Sequence, residues 1–544
     1  MSDVRDDKPL LGIGEVLRLS WPASLSMLNS TVMRFLDGLL VSFLGTVPFT
    51  AQMVAGLASF VPESFATGLL IVVNTYVAQN LGAKLYDRCG QYARAGIILA
   101  LCFGLLIFPL VFLAQPIFAA FNSSDLHKNE AALRDCLATA QVSAMPAATS
   151  PTTAQATTMP TPRENFDKKI AIARAELAST HELISLEVMF FRYMVLAVFL
   201  TLTARPLEQF FFGVQKPQVV LGASIAVNVV NLVLAYILVF GQSGLIVLDN
   251  YLHTDIQHSA LGRLNIPQFG LEGAAWANLT SWGLNLAILA AVFLSKKINV
   301  TYVTRTLRVQ VREIFDLVRI GWPAGVQFLH DVLPWYLMLG WLIEQFGKND
   351  QAATTAAMRW MPVSFMPAVG IGVATTALVG KYIGQGQPLL ARRRAHAGLI
   401  LGLIYMGFCG VIFYVFRHQM VQLFITVAPA QEAAGDAQKI IDIGGKVMVC
   451  AAVFQLFDAV GIVYLSGLRG AGDTFWPMIM TIILSWSLII GGGYFMVAEF
   501  PGLGSIGPWI SASGYIAVLG LAMAWRFERG RWQKIHLVHR EAGG

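Results

Sequence analysis

The chain has 544 residues, of which 56% are hydrophobic and only 13% charged, with a formal net charge of +6 and a mean hydropathy of +0.61. Water-soluble globular proteins carry about 25% charged residues, so the composition excludes a soluble globule and places the chain in a bilayer. The excess of basic residues falls on loops at one membrane surface and calls for no nucleic-acid partner.

Residues 1–9 mix acidic and basic side chains, with no short apolar region and no small-residue cleavage site. No removable signal peptide is expected, and the first apolar segment stays in the mature protein. Twelve apolar stretches then reach the ~20 residues that a helix needs to cross a hydrocarbon core. They are residues 19–44, 53–77, 95–121, 188–212, 219–240 and 273–294, followed by 323–346, 352–379, 397–424, 447–468, 475–497 and 506–525.

The two sets of six are copies. Arg18-Leu19-Ser20-Trp21-Pro22-Ala23 opens the first span and Arg319-Ile320-Gly321-Trp322-Pro323-Ala324 opens the seventh, 301 residues later. Leu81-Gly82 against Ile383-Gly384, and Arg94-Ala95-Gly96 against His396-Ala397-Gly398, continue the echo at an offset of 302. Because six is even, both copies start on the same side of the membrane and are related by an axis along its normal, the architecture of transporters whose substrate crosses between two halves. Lys84, Arg88, Lys296, Lys297, Arg305, Arg308, Arg312, Arg392, Arg393, Arg394, Arg526, Arg529, Arg531 and Lys534 fall on alternate loops. By the positive-inside rule those loops and both termini are cytoplasmic.

The expected domains are a cytoplasmic N-terminus (1–18), an N-lobe (19–295), a cytoplasmic linker (296–318), a C-lobe (319–527) and a cytoplasmic tail (528–544). Residues 122–187 form an extracytoplasmic insert that the C-lobe lacks. Within it, 138–162 is rich in Ala, Ser, Thr and Pro and nearly uncharged, which predicts disorder; 163–187 has apolar residues at helical spacing, which predicts a solvent-side helix. The insert reads as a solvated appendage, with a docking site or a lid as the alternatives. Asn122-Ser123-Ser124 matches a glycosylation acceptor. Cys89, Cys102, Cys136, Cys409 and Cys450 show no paired spacing, so neither a disulfide framework nor a zinc site is indicated.

Carboxylates at membrane depth are expensive, ~3 kcal/mol on insertion scales, and each is a functional candidate. Asp37 in the first span, Asp331 in the seventh and Asp458 in the tenth stand out. Each can alternate between holding a proton, a Na⁺ or a cationic ligand, which is the chemistry of an antiporter. Arg34, three residues before Asp37, offers an intrahelical ion pair. Glu63, Arg192, Arg205, Glu208, Glu344 and Arg359 read as packing or boundary residues. Trp21, Trp322, Tyr382 and Trp525 read as interfacial anchors. Phe328, Trp335, Phe365 and Met366 offer π-faces to a flat cation, or simply pack between helices.

The residues resemble the multidrug and toxic compound extrusion (MATE) family, in its NorM-like bacterial branch. The resemblance rests on Asp458-Ala459 followed by Ser466-Gly467-Leu468-Arg469-Gly470-Ala471-Gly472-Asp473-Thr474, similar to the family's tenth span and following loop. Gln79-Asn80-Leu81-Gly82-Ala83 and Gly270-Leu271-Glu272-Gly273-Ala274-Ala275-Trp276-Ala277 add to it. It implies a V-shaped pair of six-helix lobes exporting cationic, amphipathic drugs in exchange for Na⁺ or H⁺. It also implies a C-lobe site pairing Asp331, where the family usually has Glu, with Asp458. The implied N-lobe site joins Asp37, Asn231 and, at the sixth-span Thr position, Asn278. Ala235 stands where the family supplies a further oxygen, which weakens a Na⁺ cage and leaves proton carriage by Asp37 open.

The sequence thus reads as an all-α integral membrane protein, twelve transmembrane helices in two six-helix lobes about a pseudo-two-fold axis along the membrane normal. The expected function is secondary antiport of organic cations or drugs, in the inner membrane of the cell, as a monomer in contact with membrane lipids. No cofactor is expected beyond the coupling ion. The alternative is a flippase of lipid-linked anionic precursors, for which Arg34, Arg205 and Arg359 would be the argument. A membrane-embedded enzyme lacks support, because no metal motif and no nucleophile with a base is found.

Overall fold

The computed structural model describes residues 12–143, 162–252, 267–306, 308–427, 436–535 and 537–538, and the described residues contain helices and no strand. Among the described residues, ten helices are long and apolar enough to cross a membrane. The two remaining crossings are the first, Ile13–Ser42, which carries Arg34 and Asp37, and the seventh. The seventh begins as Val311–His330, breaks at Asp331-Val332, and resumes as Leu333–Leu337 and a π-helix, Met338–Ile343. Both exceptions arise where a span holds a candidate carboxylate. Twelve crossings in two lobes result, as the sequence predicts.

The duplication is visible in how the lobes meet. A side chain at Gly82 would strike the Lys381 carbonyl, and one at Gly384 would strike that of Gln79. Gly82 and Gln79 are the repeat partners of Gly384 and Lys381, so the two contacts are one contact seen twice across the axis. The second and eighth helices, Thr46–Gly82 and Lys348–Gly384, can approach this closely only because glycine stands at the crossings. Gly68 against Ala324 and Gly370 against Ala23 repeat the relation between helices 2 and 7 and helices 8 and 1. These close approaches lie towards the membrane face that carries both chain ends, called here the terminal face.

Two clasps bind the lobes at that face. Glu15 of the N-lobe accepts hydrogen bonds from Arg394 Nε (2.7 Å), the Tyr382 hydroxyl (2.7 Å) and Lys381 Nζ (3.1 Å) of the C-lobe. Asp316 of the C-lobe accepts from the Tyr92 hydroxyl of the N-lobe at Oδ2 (3.0 Å) and from Tyr76 at its carbonyl (2.9 Å). Glu15 and Asp316 occupy equivalent repeat positions, as do Tyr92 and Arg394. Burial disfavours the charge on Glu15, but the Tyr382 and Arg394 bonds and the Lys381 charge outweigh it and hold the carboxyl below its ordinary value. Tyr382 is therefore a buried part of this clasp, 5% exposed, and not the interfacial anchor its position suggests; Trp21, Trp322 and Trp525 are exposed as anchors should be.

The described parts of the insert are helical. A helix covers Ser123–Ser143, so helical structure reaches into the stretch expected to be disordered, of which 144–161 lies outside the described residues. The expected helix is present and continuous with the fourth span as Pro162–Gly213, about 78 Å at 1.5 Å per residue. Asn129 Nδ2 donates to Thr180 Oγ1 (2.9 Å) and Asn122 Nδ2 to Glu187 Oε2 (2.8 Å), tying the two helices into a hairpin. These pairings are not visible in a composition count. They also engage the Asn122 amide, 8% exposed, which a glycosylation acceptor would need to present freely.

Candidate functional site

In the N-lobe, the first span meets the fifth, Pro217–Leu252, and the sixth, Gly270–Phe293. Asp37 is 8% exposed and Asn231 1% exposed. Asn231 Nδ2 donates to Asn278 Oδ1 (3.3 Å), and Asn278 in turn hydrogen-bonds Asp37. The three residues named from the sequence are thus brought together as a chain of amides ending on the carboxylate. A cavity of about 190 Å³ adjoins them, with Asp37, Asn29, Asn228 and Asn231 set among Val32, Met33, Leu36, Ile225, Val229 and Leu232. Such a lining suits an amphipathic cation, with apolar walls for its body and one carboxylate for its charge.

The sequence did not single out Asn29, Asn228, Ser26 and Ser224. Asn228 Nδ2 donates to the Asn29 carbonyl (2.8 Å), Asn29 Nδ2 to Ser224 Oγ (3.3 Å), and Ser26 Oγ to Ser224 Oγ (3.3 Å). The readable signal was Asn228 three residues before Asn231, hence on the same helix face. Ala235, one turn beyond Asn231, is 2% exposed and contributes no oxygen.

The C-lobe site forms at the break in the seventh span. Gln327 accepts the Asp331 amide at its carbonyl (2.8 Å) as the helix ends, so Asp331 sits where the backbone changes path. Asp458 is carried by the tenth span, Ala437–Ala471, within electrostatic range of Asp331. Tyr515 of the twelfth span, 4% exposed, lies within range of both carboxylates. Arg469 and His330 are the cations near Asp331. The expected tenth span ends at residue 468, which placed Arg469 in the following loop. The helix instead continues to Ala471 and ends on Gly472 at φ 90°, which aims Arg469 back into the lobe. The eleventh span also departs from regular geometry, through a π-helical stretch at Ser485–Gly492; such insertions recur at functional sites.

The lobes do not carry their polar groups at matching positions. Ser26···Ser224 and Gln327···Thr481 (3.2 Å) are equivalent contacts in the repeat. In that register Asp331, Asp458 and Arg469 fall on Ser30, Thr201 and Phe212, while Asp37 and Asn231 fall on Met338 and Leu488. Asp37 and Asp331 lie on corresponding helices, the first and the seventh, but at different positions along them, and Asp458 has no carboxylate at its equivalent position in the fourth span.

Between these sites, Glu63 Oε1 accepts from Thr201 Oγ1 (2.8 Å), Arg205 pairs with Glu208 (3.0 Å), and Asn285 donates to Glu208 (3.2 Å). Arg34 lies near Arg205, Glu63 and Tyr336, with Asp37 the weakest of its charged neighbours; the i,i+3 spacing does not yield a close pair. Arg359 stands over the Phe49 ring at 5.2 Å. Arg34 and Arg205 are thus neighbours, while Arg359 packs on the second span. Among the described residues no group of three His, Cys, Asp or Glu could hold a metal ion.

The family model for MatE matches residues 22–136 and 328–495. The chain is 25% identical over 516 residues to the "Probable multidrug resistance protein NorM" of Burkholderia pseudomallei (strain K96243), covering 95% of this chain and 92% of that one. Its fold is similar to a solved structure described as "Outward-facing conformation of a multidrug resistance MATE family transporter of the MOP superfamily", with a TM-score of 0.71 at 18% identity, covering 98% of this chain and 100% of that one. It is also similar, with a TM-score of 0.72 at 18% identity over 96% of this chain and 97% of the other, to a MOP superfamily transporter from Pyrococcus furiosus whose description reports a reversed polarity of the binding pocket.

Proposed function

Because the chain belongs to the MatE family, and so is a multi-pass membrane transporter of the multidrug-efflux kind, we propose that it exports small organic cations by antiport with a monovalent cation, Na⁺ or H⁺. The observation that carries this reading is that Asp331, at a break in the seventh span, and Asp458, on the tenth, lie within electrostatic range of one another. Two carboxylates in one low-dielectric site attract a cation strongly and cannot both stay charged and empty without penalty. Drug and coupling ion therefore compete for the same charge, and exchange follows.

Asp37 with Asn231 and Asn278 is a second cation-handling site in the N-lobe. There Asn278 turns its amide donor to Asp37 and its oxygen to Asn231. That arrangement leaves the Asn278 oxygen engaged by Asn231 and turned from Asp37, which does not favour a cage of oxygens for Na⁺. The membrane is the inner membrane, and the terminal face, where the basic loops gather, is cytoplasmic. The protein works as a monomer among lipids, with domain limits at 19–295 and 319–527.

The test is efflux of a fluorescent cation from proteoliposomes, driven separately by a Na⁺ gradient and by a pH gradient. Transport under one gradient and not the other identifies the coupling ion, and transport under neither rejects antiport.

A further inference from the structure

Arg469 is a half-buried cation of the C-lobe that the antiport scheme leaves without a task. It leaves the tenth helix eleven residues after Asp458, and its Nη2 donates to Gln327 Oε1 (3.1 Å) on the seventh. Gln327 is itself held, its Nε2 donating to Thr481 Oγ1 (3.2 Å), and it stands one turn before Asp331 on the same helix face. The backbone of Arg469 is fixed from the other lobe, because Thr75 Oγ1 donates to its carbonyl (2.9 Å). Its Nε is buried and makes no hydrogen bond, so one donor stays uncommitted on a guanidinium that lies within electrostatic range of Asp331. Phe212 occupies the equivalent place in the N-lobe, so this cation belongs to the C-lobe alone.

We infer that Arg469 is a specificity-determining counter-ion of the C-lobe site: it offsets one of the two carboxylates, so that the site presents a single net negative charge and selects monovalent over divalent organic cations. Asp331 and Asp458 alone would offer two negative charges, a site for a dication or for two monocations at once. With Arg469 held on Gln327, one turn before Asp331, a monocation balances the site and a dication leaves an uncompensated positive charge in a region of low dielectric, where like charges repel strongly. Holding the guanidinium on Gln327 keeps it close enough to act through its charge, yet away from the space between the carboxylates. The inference rests on the proposed C-lobe site.

The test compares ethidium, a monocation, with propidium, its dicationic analogue, in equilibrium binding to the purified full-length protein. Wild type is expected to prefer ethidium. Arg469→Gln should shift the ethidium-to-propidium affinity ratio towards propidium by about tenfold or more, and Arg469→Lys, which keeps the charge, should retain the wild-type ratio. If Arg469→Gln does not fold, the charge-balanced pair decides: Asp331→Asn alone should lose ethidium binding, and Asp331→Asn with Arg469→Gln should regain it. An unchanged ratio in a folded Arg469→Gln protein, or no recovery in the double variant, overturns the inference. Failure of the underlying site looks different, since Asp331→Asn and Asp458→Asn would then bind ethidium like wild type.

Discussion

Removing the charge of Glu15 should unlatch the terminal face without touching either candidate site. The Glu15 carboxylate joins the lobes through three donors, of which Arg394 has a side chain only 4% exposed, whereas Lys381 is 22% exposed. A hydrogen bond to a buried charged group contributes about 1.5–3 kcal/mol, and a half-exposed ion pair under about 1 kcal/mol. Glu15→Gln keeps the shape and a carbonyl acceptor but loses the charge, so a net weakening of about 2 kcal/mol follows, or about 30-fold in the equilibrium between closed and open terminal faces. Double electron–electron resonance between spin labels at Lys297→Cys and Arg531→Cys, each just past the last span of one lobe, reads that equilibrium in a background free of the five native cysteines.

The same assay carries a pH test. The folded Glu15 carboxyl lies below its ordinary value of 4.5, so its stabilisation is full above that value and fades only as pH falls through the lower, folded one. The wild-type distance distribution should therefore hold from neutral pH down to pH 5. An unchanged distribution in Glu15→Gln, or a wild-type clasp that opens between pH 7 and 6, would refute the reasoning.

Asp331→Asn and Asp458→Asn should each abolish coupled efflux at normal membrane abundance, as measured in proteoliposomes, because each removes an exchangeable charge and preserves shape. Ala235→Asp should create or strengthen Na⁺ binding, by calorimetry on purified protein, since it adds a carboxylate one turn beyond Asn231 beside Asp37; tight wild-type Na⁺ binding that depends on Asp37 would show that the missing ligand is supplied otherwise. Gly384→Ala places a methyl group against the Gln79 carbonyl and should destabilise the lobe interface by about 1–3 kcal/mol, seen as a lower unfolding temperature in detergent; an unshifted temperature would show that the second and eighth helices separate freely.

Composition and the repeated Arg-x-x-Trp-Pro-Ala opening suffice to read the number of spans, their pairing into lobes and the depth of Asp37, Asp331 and Asp458, because burying a charge in hydrocarbon is rare enough to mark each one. The helix at 163–187 was legible for the same kind of reason, a periodic apolar face. What the sequence hides is long-range pairing. Glu15 lies outside the apolar segments and its partners Lys381 and Arg394 stand among ordinary positive-inside residues, so nothing local distinguishes a clasp from a solvated charge. Tyr382 sits where an anchor would sit, and only the position of Glu15 shows that its hydroxyl points inward. Arg469 lies one residue past the expected end of the tenth span, and only the continuation of the helix to Ala471 brings it into the lobe. The π-helical stretches follow no residue pattern, since they depend on how neighbouring helices pack.

The two clasps differ in chemistry although they occupy equivalent places, and that difference makes the rigidity of the lobes measurable. Asp316 is held by the neutral phenol of Tyr92 (3.0 Å) where Glu15 is held by the guanidinium of Arg394 (2.7 Å). Tyr92→Phe removes a single hydrogen bond to a carboxylate, and its expected effect is about 1–1.5 kcal/mol, some tenfold at most in the opening equilibrium. If each lobe moves as one body, opening breaks both clasps in the same step, and the effects of Glu15→Gln and Tyr92→Phe should add in the double variant to within about 0.5 kcal/mol, as for sites with no shared partner. If the lobes deform, each clasp opens alone, and the double variant would open no further than Glu15→Gln in the same spin-label measurement. That outcome would reject rigid-lobe motion and place the flexing element between the clasps, where the second and eighth helices cross at Gly82 and Gly384.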